Sequence, residues 1–184
     1  MVIGLTGSFA SGKDLVAHRL IEKGFAYVSL SDLIRDDLRA ENLPITRENL
    51  INKANEVRKT RGASEWAKRA IEKAKRMGAQ HTALVSIRNP AEVEELRKLP
   101  EFELWFIDSP QRIRYGRAKK RGRTDDFPSF EDFQAKEARE NSADPAEQQL
   151  GKVFALADRT IENDSDIASL QLKIDNILYG LGIG

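Results

Sequence analysis

A glycine-rich segment near the start of the chain has the spacing of a phosphate-binding loop. It reads Gly7-Ser8-Phe9-Ala10-Ser11-Gly12-Lys13 and matches the pattern G-x-x-x-x-G-K. Its glycines allow backbone angles that turn amide groups inward around phosphate oxygens, and its lysine reaches the β- and γ-phosphates. An apolar strand pattern at residues 2–6 lies directly before the loop, and a helical pattern follows it, which is the context that the motif requires. The segment therefore predicts a binding site for a nucleoside triphosphate.

The residue after the lysine departs from this motif. Asp14 stands where a serine or threonine usually gives its hydroxyl to Mg²⁺. In one interpretation the carboxylate repels phosphate and the loop is degenerate. In the other, Asp14 is itself a metal ligand, directly or through water, because Mg²⁺ favours carboxylate oxygen. We favour the second interpretation.

Further charged residues follow two other predicted strands. Arg88 comes directly after the third predicted strand, and so lies at the carboxyl edge of the sheet, where α/β proteins bind ligands. Asp32 and Arg35 lie three positions apart after the second strand and can face a cleft from one helical turn. The alternative for this pair is a helix-capping aspartate beside an exposed arginine. Arg47 and Arg58 are weaker candidates, because helices of this kind carry many solvated charges.

A basic run at residues 112–123 contains seven arginines and lysines and no acidic residue. Arg117 and Arg121 share a helix face, and Arg123 opens the polar loop that follows. If this basic run belongs to a hinged segment, its cations would stabilise a transferring phosphoryl group and exclude water. Arg139, on the arm of the segment that returns after the polar loop, would add another cation. The helix of that arm is charged and has few apolar anchors. A solvated helix face and a nucleic-acid patch are the alternatives.

Composition narrows the function classes. Thirty Lys and Arg residues face 29 Asp and Glu residues, so the formal net charge is +1, which disfavours a nucleic-acid binder. The absence of cysteine excludes a disulfide scaffold and thiolate metal sites, and two histidines are too few for a His-rich zinc site. No apolar run is long enough for a membrane span, and no signal peptide is evident. We therefore expect a cytoplasmic protein that binds neither nucleic acid nor membrane.

The elements that must position these residues are strands alternating with helices along the 184 residues. This order predicts a single α/β domain with a five-stranded parallel sheet and helices on both faces. The predicted strands are residues 2–6, 25–30, 81–87, 102–107 and 160–161. Two helical stretches do not belong to the sheet layers, at about 33–77 and about 121–141, and they predict a cleft that closes.

The chain resembles the P-loop nucleoside monophosphate kinase superfamily, which includes deoxynucleoside monophosphate, dephospho-coenzyme A and adenylate kinase-like enzymes. The resemblance covers nearly the whole chain and is most specific in the segments 3–13, 30–35, 46–50, 86–90 and 121–123. It implies that residues 33–77 form an acceptor-binding lobe and that residues 121–141 form a lid. Relatives often carry an aspartate at the end of the third strand, where this chain has Val85. We hypothesise that Asp14 replaces it; Asp108 is another possible source of the carboxylate.

The resemblance implies transfer of the γ-phosphoryl group of ATP, with Mg²⁺, to a nucleoside or deoxynucleoside monophosphate by a monomer or homodimer. Dephospho-coenzyme A kinase, with Asp32 as the base for a ribose hydroxyl, is the alternative enzyme. A nucleotide-binding regulator with weak ATPase activity is the rival from another class, and Asp14 and Val85 are the features in its favour. The implied roles are catalysis for Lys13, Arg88, Arg121 and Arg123; ATP binding for Gly7, Ser8, Ala10, Ser11, Gly12, Lys13, Asp14 and Arg117; and acceptor binding for Asp32, Arg35, Arg47, Arg58, Arg88 and Arg139.

Overall fold

One parallel sheet organises the chain. The computed structural model describes residues 1–121 and 128–183. The strands in these residues are β1 (Val2–Thr6), β2 (Ala26–Ser29), β3 (Thr82–Val85), β4 (Phe102–Asp108) and β5 (Arg159–Glu162). All their pairings are parallel, in the order β2-β3-β1-β4-β5. Strand β1 therefore lies in the middle, and the loop that follows it opens at the centre of the carboxyl edge.

Helices connect the strands and cover the sheet. In the described residues they are α1 (Lys13–Glu22), α2 (Leu30–Ala40), α3 (Arg47–Arg61), α4 (Glu65–Met77), α5 (Pro90–Leu96), α6 (Gln111–Lys120), α7 (Phe130–Ala138), α8 (Leu150–Ala155) and α9 (Ile167–Gly180). None of these helices is long and apolar enough to cross a membrane.

Two apolar layers lie on opposite faces of the sheet. Ile3 and Leu5 of β1 belong to the layer that packs against α1 and α9. Leu84 of β3 and Leu104 of β4 belong to the other layer, with helices α2 to α5 and α8. Side chains alternate between the faces along each strand, so a sheet buried on both sides needs a continuous apolar run. The predicted α/β fold is confirmed.

The second strand is shorter than its apolar pattern predicts. Strand β2 ends at Ser29, and Leu30 already begins α2. The Ser29 side chain caps the helix by accepting a hydrogen bond from the Asp32 backbone amide at 3.3 Å. The alternative interpretation of Asp32 as the helix cap is therefore wrong, because a serine three residues earlier satisfies the free amide.

Helix α7 has a fully buried apolar side chain, although its sequence predicts few apolar anchors. Phe133 is 1% exposed and forms a small cluster with Ala10 of the phosphate loop and Ala118 of α6. Tyr115 meets the Phe133 ring edge-on, with a centroid distance of 5.7 Å. The predicted lid begins at Arg121, and its residues 122–127 lie outside the described residues. Helix α7, which forms the later part of the predicted lid, is packed against the phosphate loop.

Candidate active site

The phosphate loop needs glycine at its two ends. Gly7 has φ +149° and Gly12 has φ +102°. A Cβ atom on Gly7 would lie 2.5 Å from the Ile107 carbonyl oxygen, and one on Gly12 would lie 2.2 Å from Asn163 Nδ2. Both approaches are too close for a side chain, so sterics as well as dihedral angles fix these residue types.

Lys13 folds back across the loop from the first turn of α1. Its Nζ atom donates hydrogen bonds to the Gly7 carbonyl at 2.7 Å and to the Ser8 carbonyl at 2.8 Å. Burial, followed by the charge of Arg88, lowers the pKa of Lys13 to about 8. Burial disfavours the charged amine, and an incoming anion would reverse that effect. The ammonium group is therefore placed to receive phosphate.

Arg88 lies near Lys13 and is paired with an acidic residue. Its Nη1 atom donates to Glu140 Oε1 at 2.9 Å and to Gln148 Oε1 at 3.0 Å. Arg47 Nη2 approaches the same Glu140 oxygen at 3.6 Å. Glu140 raises the pKa of Lys13 while Arg88 lowers it, so both charges act on the phosphate loop. Arg88, Arg47 and Glu140 are called the Arg–Glu cluster below.

A buried carboxylate holds the backbone of Arg88 in place. Glu92 Oε2 accepts hydrogen bonds from the backbone amides of Arg88, at 2.8 Å, and Asn89, at 3.1 Å. The other oxygen, Oε1, accepts from Arg58 Nε at 3.1 Å and from Arg58 Nη2 at 2.8 Å. The side chains of Arg58 and Glu92 are 2% and 0% exposed. We therefore correct the placement of Arg58 among acceptor-binding residues: its guanidinium joins α3 to α5 and has no surface for a ligand.

Asp32 and Arg35 form an ion pair in α2, and their charges act together with that of Asp14 on Tyr27 of β2. Arg35 Nη1 donates to Asp32 Oδ1 and to Ser31 Oγ, both at 2.8 Å. Burial raises the pKa of Tyr27, and the carboxylates of Asp32 and Asp14 raise it further while Arg35 opposes them. The charges of all three predicted residues thus act on one phenol.

Asp14 has the chemistry of a magnesium ligand. Its carboxylate is exposed in the first turn of α1, and no hydrogen bond or ion pair in the described residues engages it. No group of three or more His, Asp or Glu side chains in those residues could hold a metal ion. Mg²⁺ typically keeps several waters and binds through one or two carboxylates and substrate phosphates. One free carboxylate beside the phosphate loop fits that preference, whereas Val85 offers no donor.

A cavity of about 550 Å³ opens between α1, the end of α6 and the segment that follows β5. Asn163, directly after β5, joins its walls: its Nδ2 atom donates to the Ser11 carbonyl at 2.8 Å. Arg117 Nη2 donates to the Asn163 carbonyl at 3.1 Å and to its Oδ1 atom at 3.3 Å. The cavity is lined by Leu15, Arg117, Arg121, Asn163, Ser165, Asp166, Ile167 and Ala168. Its size and its position beside the phosphate loop suit a small organic group.

Helix α7 is tied to the phosphate loop by a second ion pair. Arg114 donates from both terminal nitrogens to the Glu137 carboxylate, and its Nη1 atom also donates to the Phe9 carbonyl at 3.2 Å. Burial alone would raise the pKa of Glu137, but hydrogen bonds from Arg114 and Gln111 hold it below its usual value. Because Phe9 belongs to the phosphate loop, Arg114 joins α7 to that loop.

Of the remaining predicted residues, the structure describes Arg121 and Arg139. Arg121 is exposed at the end of α6, where its charge, together with burial, lowers the pKa of Arg117. Arg139 is exposed at the end of α7, and Arg123 lies outside the described residues. Sequence reasoning missed Glu140 and Asn163. Asn163 directly follows β5, so the rule that ligands bind at the carboxyl ends of parallel strands could have found it. Glu140 carries no such local signal.

Solved structures share this fold at low sequence identity. The chain aligns with the APS kinase of Mycobacterium tuberculosis at a TM-score of 0.53 and 20% identity, covering 97% of this chain and 96% of that one. A shikimate kinase from Acinetobacter baumannii also gives 0.53, at 15% identity, with coverages of 100% and 95%. These likenesses confirm a P-loop kinase-like fold, and membership of the nucleoside monophosphate kinase superfamily stays a prediction.

Curated relatives are more similar in sequence. No protein-family model matches the chain. A UPF0200 protein of Pyrococcus abyssi is 35% identical over 183 residues, which cover 97% of this chain and 95% of that protein. A UPF0200/UPF0201 protein of Archaeoglobus fulgidus is 34% identical over 184 residues, but this chain spans only 55% of its length. The identity and coverage place the chain in the UPF0200 family.

Proposed function

We propose that this protein transfers the γ-phosphoryl group of ATP to a small phosphorylated acceptor, a nucleoside or deoxynucleoside monophosphate. The observation that carries the proposal is the position of Lys13. Its ammonium group is bonded to the phosphate loop, and its pKa responds to Arg88 and Glu140 of the Arg–Glu cluster. A donor phosphate in the loop and an acceptor anion at Arg88 would therefore meet beside one cation.

The donor side follows from the loop and the cavity. The phosphates of ATP would replace the Gly7 and Ser8 carbonyls as partners of Lys13. The base and ribose would occupy the cavity between Arg117 and the segment after Asn163. When bound, Mg²⁺ neutralises phosphate charge, and Asp14 would hold it directly or through water.

The acceptor side follows from the Arg–Glu cluster. Arg88 and Arg47 supply two guanidinium groups, and arginine binds phosphate oxygens in a planar fork. An acceptor phosphate is already ionised, so transfer to it needs no strong general base. Catalysis would then come from positioning and from cations that stabilise the transferring charge. The acceptor lobe, with Arg35 inside it and Asp32 directly before it, would recognise the rest of the molecule.

The test is a coupled measurement of ADP release over all ribo- and deoxynucleoside monophosphates, with dephospho-coenzyme A included. We expect acceptor-dependent ADP from at least one monophosphate, and loss of that turnover in Lys13→Ala with an unchanged melting temperature. Lys98→Ala is the control, because Lys98 is exposed and, among the described residues, pairs only with Glu95 on the same turn.

Three outcomes would contradict the proposal. Turnover retained in Lys13→Ala would remove the phosphate-loop assignment. ADP release that no acceptor stimulates would favour a regulator with weak ATPase activity. Turnover with dephospho-coenzyme A alone would favour the alternative with a hydroxyl acceptor, in which Asp32 is the candidate base.

A further inference from the structure

One oxygen of the Arg–Glu cluster has no hydrogen-bond partner among the residues that the structure describes. Glu140 is 7% exposed, and its Oε1 atom accepts from Arg88 at 2.9 Å while Arg47 approaches it at 3.6 Å. Its Oε2 atom is buried, with no hydrogen-bond partner in the described part of the chain. A carboxylate oxygen can only accept, and leaving it buried and unmatched costs free energy comparable to a lost hydrogen bond.

The backbone that carries Glu140 is held by hydrogen bonds to the segment that follows it. The Leu150 backbone amide donates to the Glu140 carbonyl at 3.1 Å, and Asn141 forms an antiparallel bridge with Gln149. The Gln149 backbone amide donates in turn to the Arg88 carbonyl at 3.0 Å. The backbone on both sides of the cluster is therefore held, and the bond from Arg88 together with burial holds the Glu140 carboxylate.

The geometry restricts what can satisfy Oε2. The partner must be an O–H or N–H donor, because the oxygen is an acceptor. Oε1 of the same carboxylate is bonded to Arg88, so a donor at Oε2 lies less than about 8 Å from that guanidinium when hydrogen-bond lengths are ordinary. In a nucleoside monophosphate held by its phosphate at Arg88, the sugar hydroxyls lie nearer the phosphate than the amino and imino donors of the base do, so they are the donors that this range favours.

We propose that Glu140 selects the acceptor by accepting a hydrogen bond at Oε2 from a sugar hydroxyl next to the phosphate that Arg88 and Arg47 hold. The substrate class is then a phosphate monoester with a free hydroxyl on its sugar. This inference rests on the proposed function for the identity of the site as the acceptor site. It adds a specificity-determining residue that touches the acceptor and not ATP.

The experiment compares nucleoside monophosphates that differ by one sugar hydroxyl: the ribo, 2′-deoxy, 3′-deoxy and 2′,3′-dideoxy forms of one base. Affinities are measured by calorimetry with a non-hydrolysable ATP analogue present, and kcat/KM is measured wherever turnover occurs. In the wild-type protein we expect removal of one particular hydroxyl to weaken binding roughly ten- to a hundredfold, the value of a hydrogen bond to a charged group. In Glu140→Gln we expect less than about a threefold effect of the same hydroxyl, because the group at the Oε2 position is no longer a charged acceptor.

For each variant we compare only the ratio of the affinities for the hydroxyl and deoxy forms. A change that alters phosphate binding by Arg88 equally for both forms therefore cancels. Glu147→Gln lies in the same segment and keeps its backbone carbonyl bond to Asn89, so it serves as the control that should retain the wild-type ratio. A thermal melt of each variant establishes that the fold is intact, and Glu140→Asp, if Glu140→Gln is unstable, keeps the charge while shortening the reach.

Each result decides the question. Equal binding of all four forms by the wild-type protein overturns the inference, as does an unchanged ratio in Glu140→Gln. Uniformly tighter binding by Glu140→Gln with the ratio unchanged would show that Glu140 merely competes with the acceptor anion. Phosphoryl transfer without a Glu140-dependent ratio refutes this inference alone, and a Glu140-dependent ratio without transfer refutes the proposed function alone. Absence of binding by any form refutes both.

Discussion

Raising the pH should weaken ATP binding through one residue, Lys13. Burial and the neighbouring Arg88 charge lower the pKa of Lys13 to about 8 in the free protein. Bound phosphates would surround the ammonium group with negative charge and raise that pKa again. Binding therefore takes up a proton when the pH is above 8, and affinity falls as the pH rises through this value.

The size of the effect follows from the fraction of Lys13 that is charged. With a pKa of about 8, that fraction falls from about nine-tenths at about pH 7 to about one-tenth at about pH 9. If the bound lysine stays protonated, affinity falls about tenfold across this range, or about 1.4 kcal/mol. The nucleotide itself contributes little, because the last phosphate ionisation, with a pKa of about 6, is nearly complete before the range begins.

The assay is a titration with a fluorescent ATP analogue at several pH values, with calorimetry in two buffers to count the protons taken up. Lys13→Arg is the matched control, because a guanidinium stays charged throughout this range. We expect its affinity to be lower than that of the wild-type protein at neutral pH but independent of pH. A flat wild-type profile, or the same slope in Lys13→Arg, would refute the argument.

Three further substitutions test other parts of the site. Arg58→Met leaves Glu92 buried without its partner and should lower the free energy of unfolding by about 3–5 kcal/mol in a urea titration; a loss under about 1 kcal/mol would show that the pair is not desolvated. Asp14→Ala should lower kcat and weaken the dependence of activity on Mg²⁺ concentration, and an unchanged Mg²⁺ profile would favour the degenerate-loop interpretation. Gly12→Ala should abolish ATP binding and lower the melting temperature, because φ is +102° and Asn163 Nδ2 would lie 2.2 Å from the new Cβ; a wild-type melting curve would contradict this.

The sequence was sufficient to predict the sheet and the loop because their signals are local. A buried parallel strand reads as a continuous apolar run, so β1 and β3 are visible without any knowledge of their partners. The phosphate loop is visible because Gly7 and Gly12 are the only residue type that its φ values and close approaches tolerate. The boundary between β2 and α2 was harder to predict, since Leu30 suits a strand as well as a helix. The cap that Ser29 provides is what starts the helix at Leu30.

The predicted positions of charges were less reliable because partners come from distant parts of the chain. Arg58 and Arg88 look alike in sequence, but Glu92 takes up the guanidinium of one and the backbone amide of the other. Glu140 is separated from Arg88 by 52 positions, so no periodicity connects them. A sequence pattern can indicate that an arginine lies at the edge of the sheet. Whether its guanidinium group is available to a ligand depends on tertiary contacts.

The contacts of α7 bear on the predicted movement of the lid. Phe133 is buried against the phosphate loop, and Arg114 joins the Glu137 carboxylate to the Phe9 carbonyl of that loop. Displacing α7 as a unit would expose an aromatic ring and leave Arg114 unpaired near the loop, and both changes cost free energy. We therefore expect α7 to stay in place when nucleotides bind and to form a fixed wall of the site.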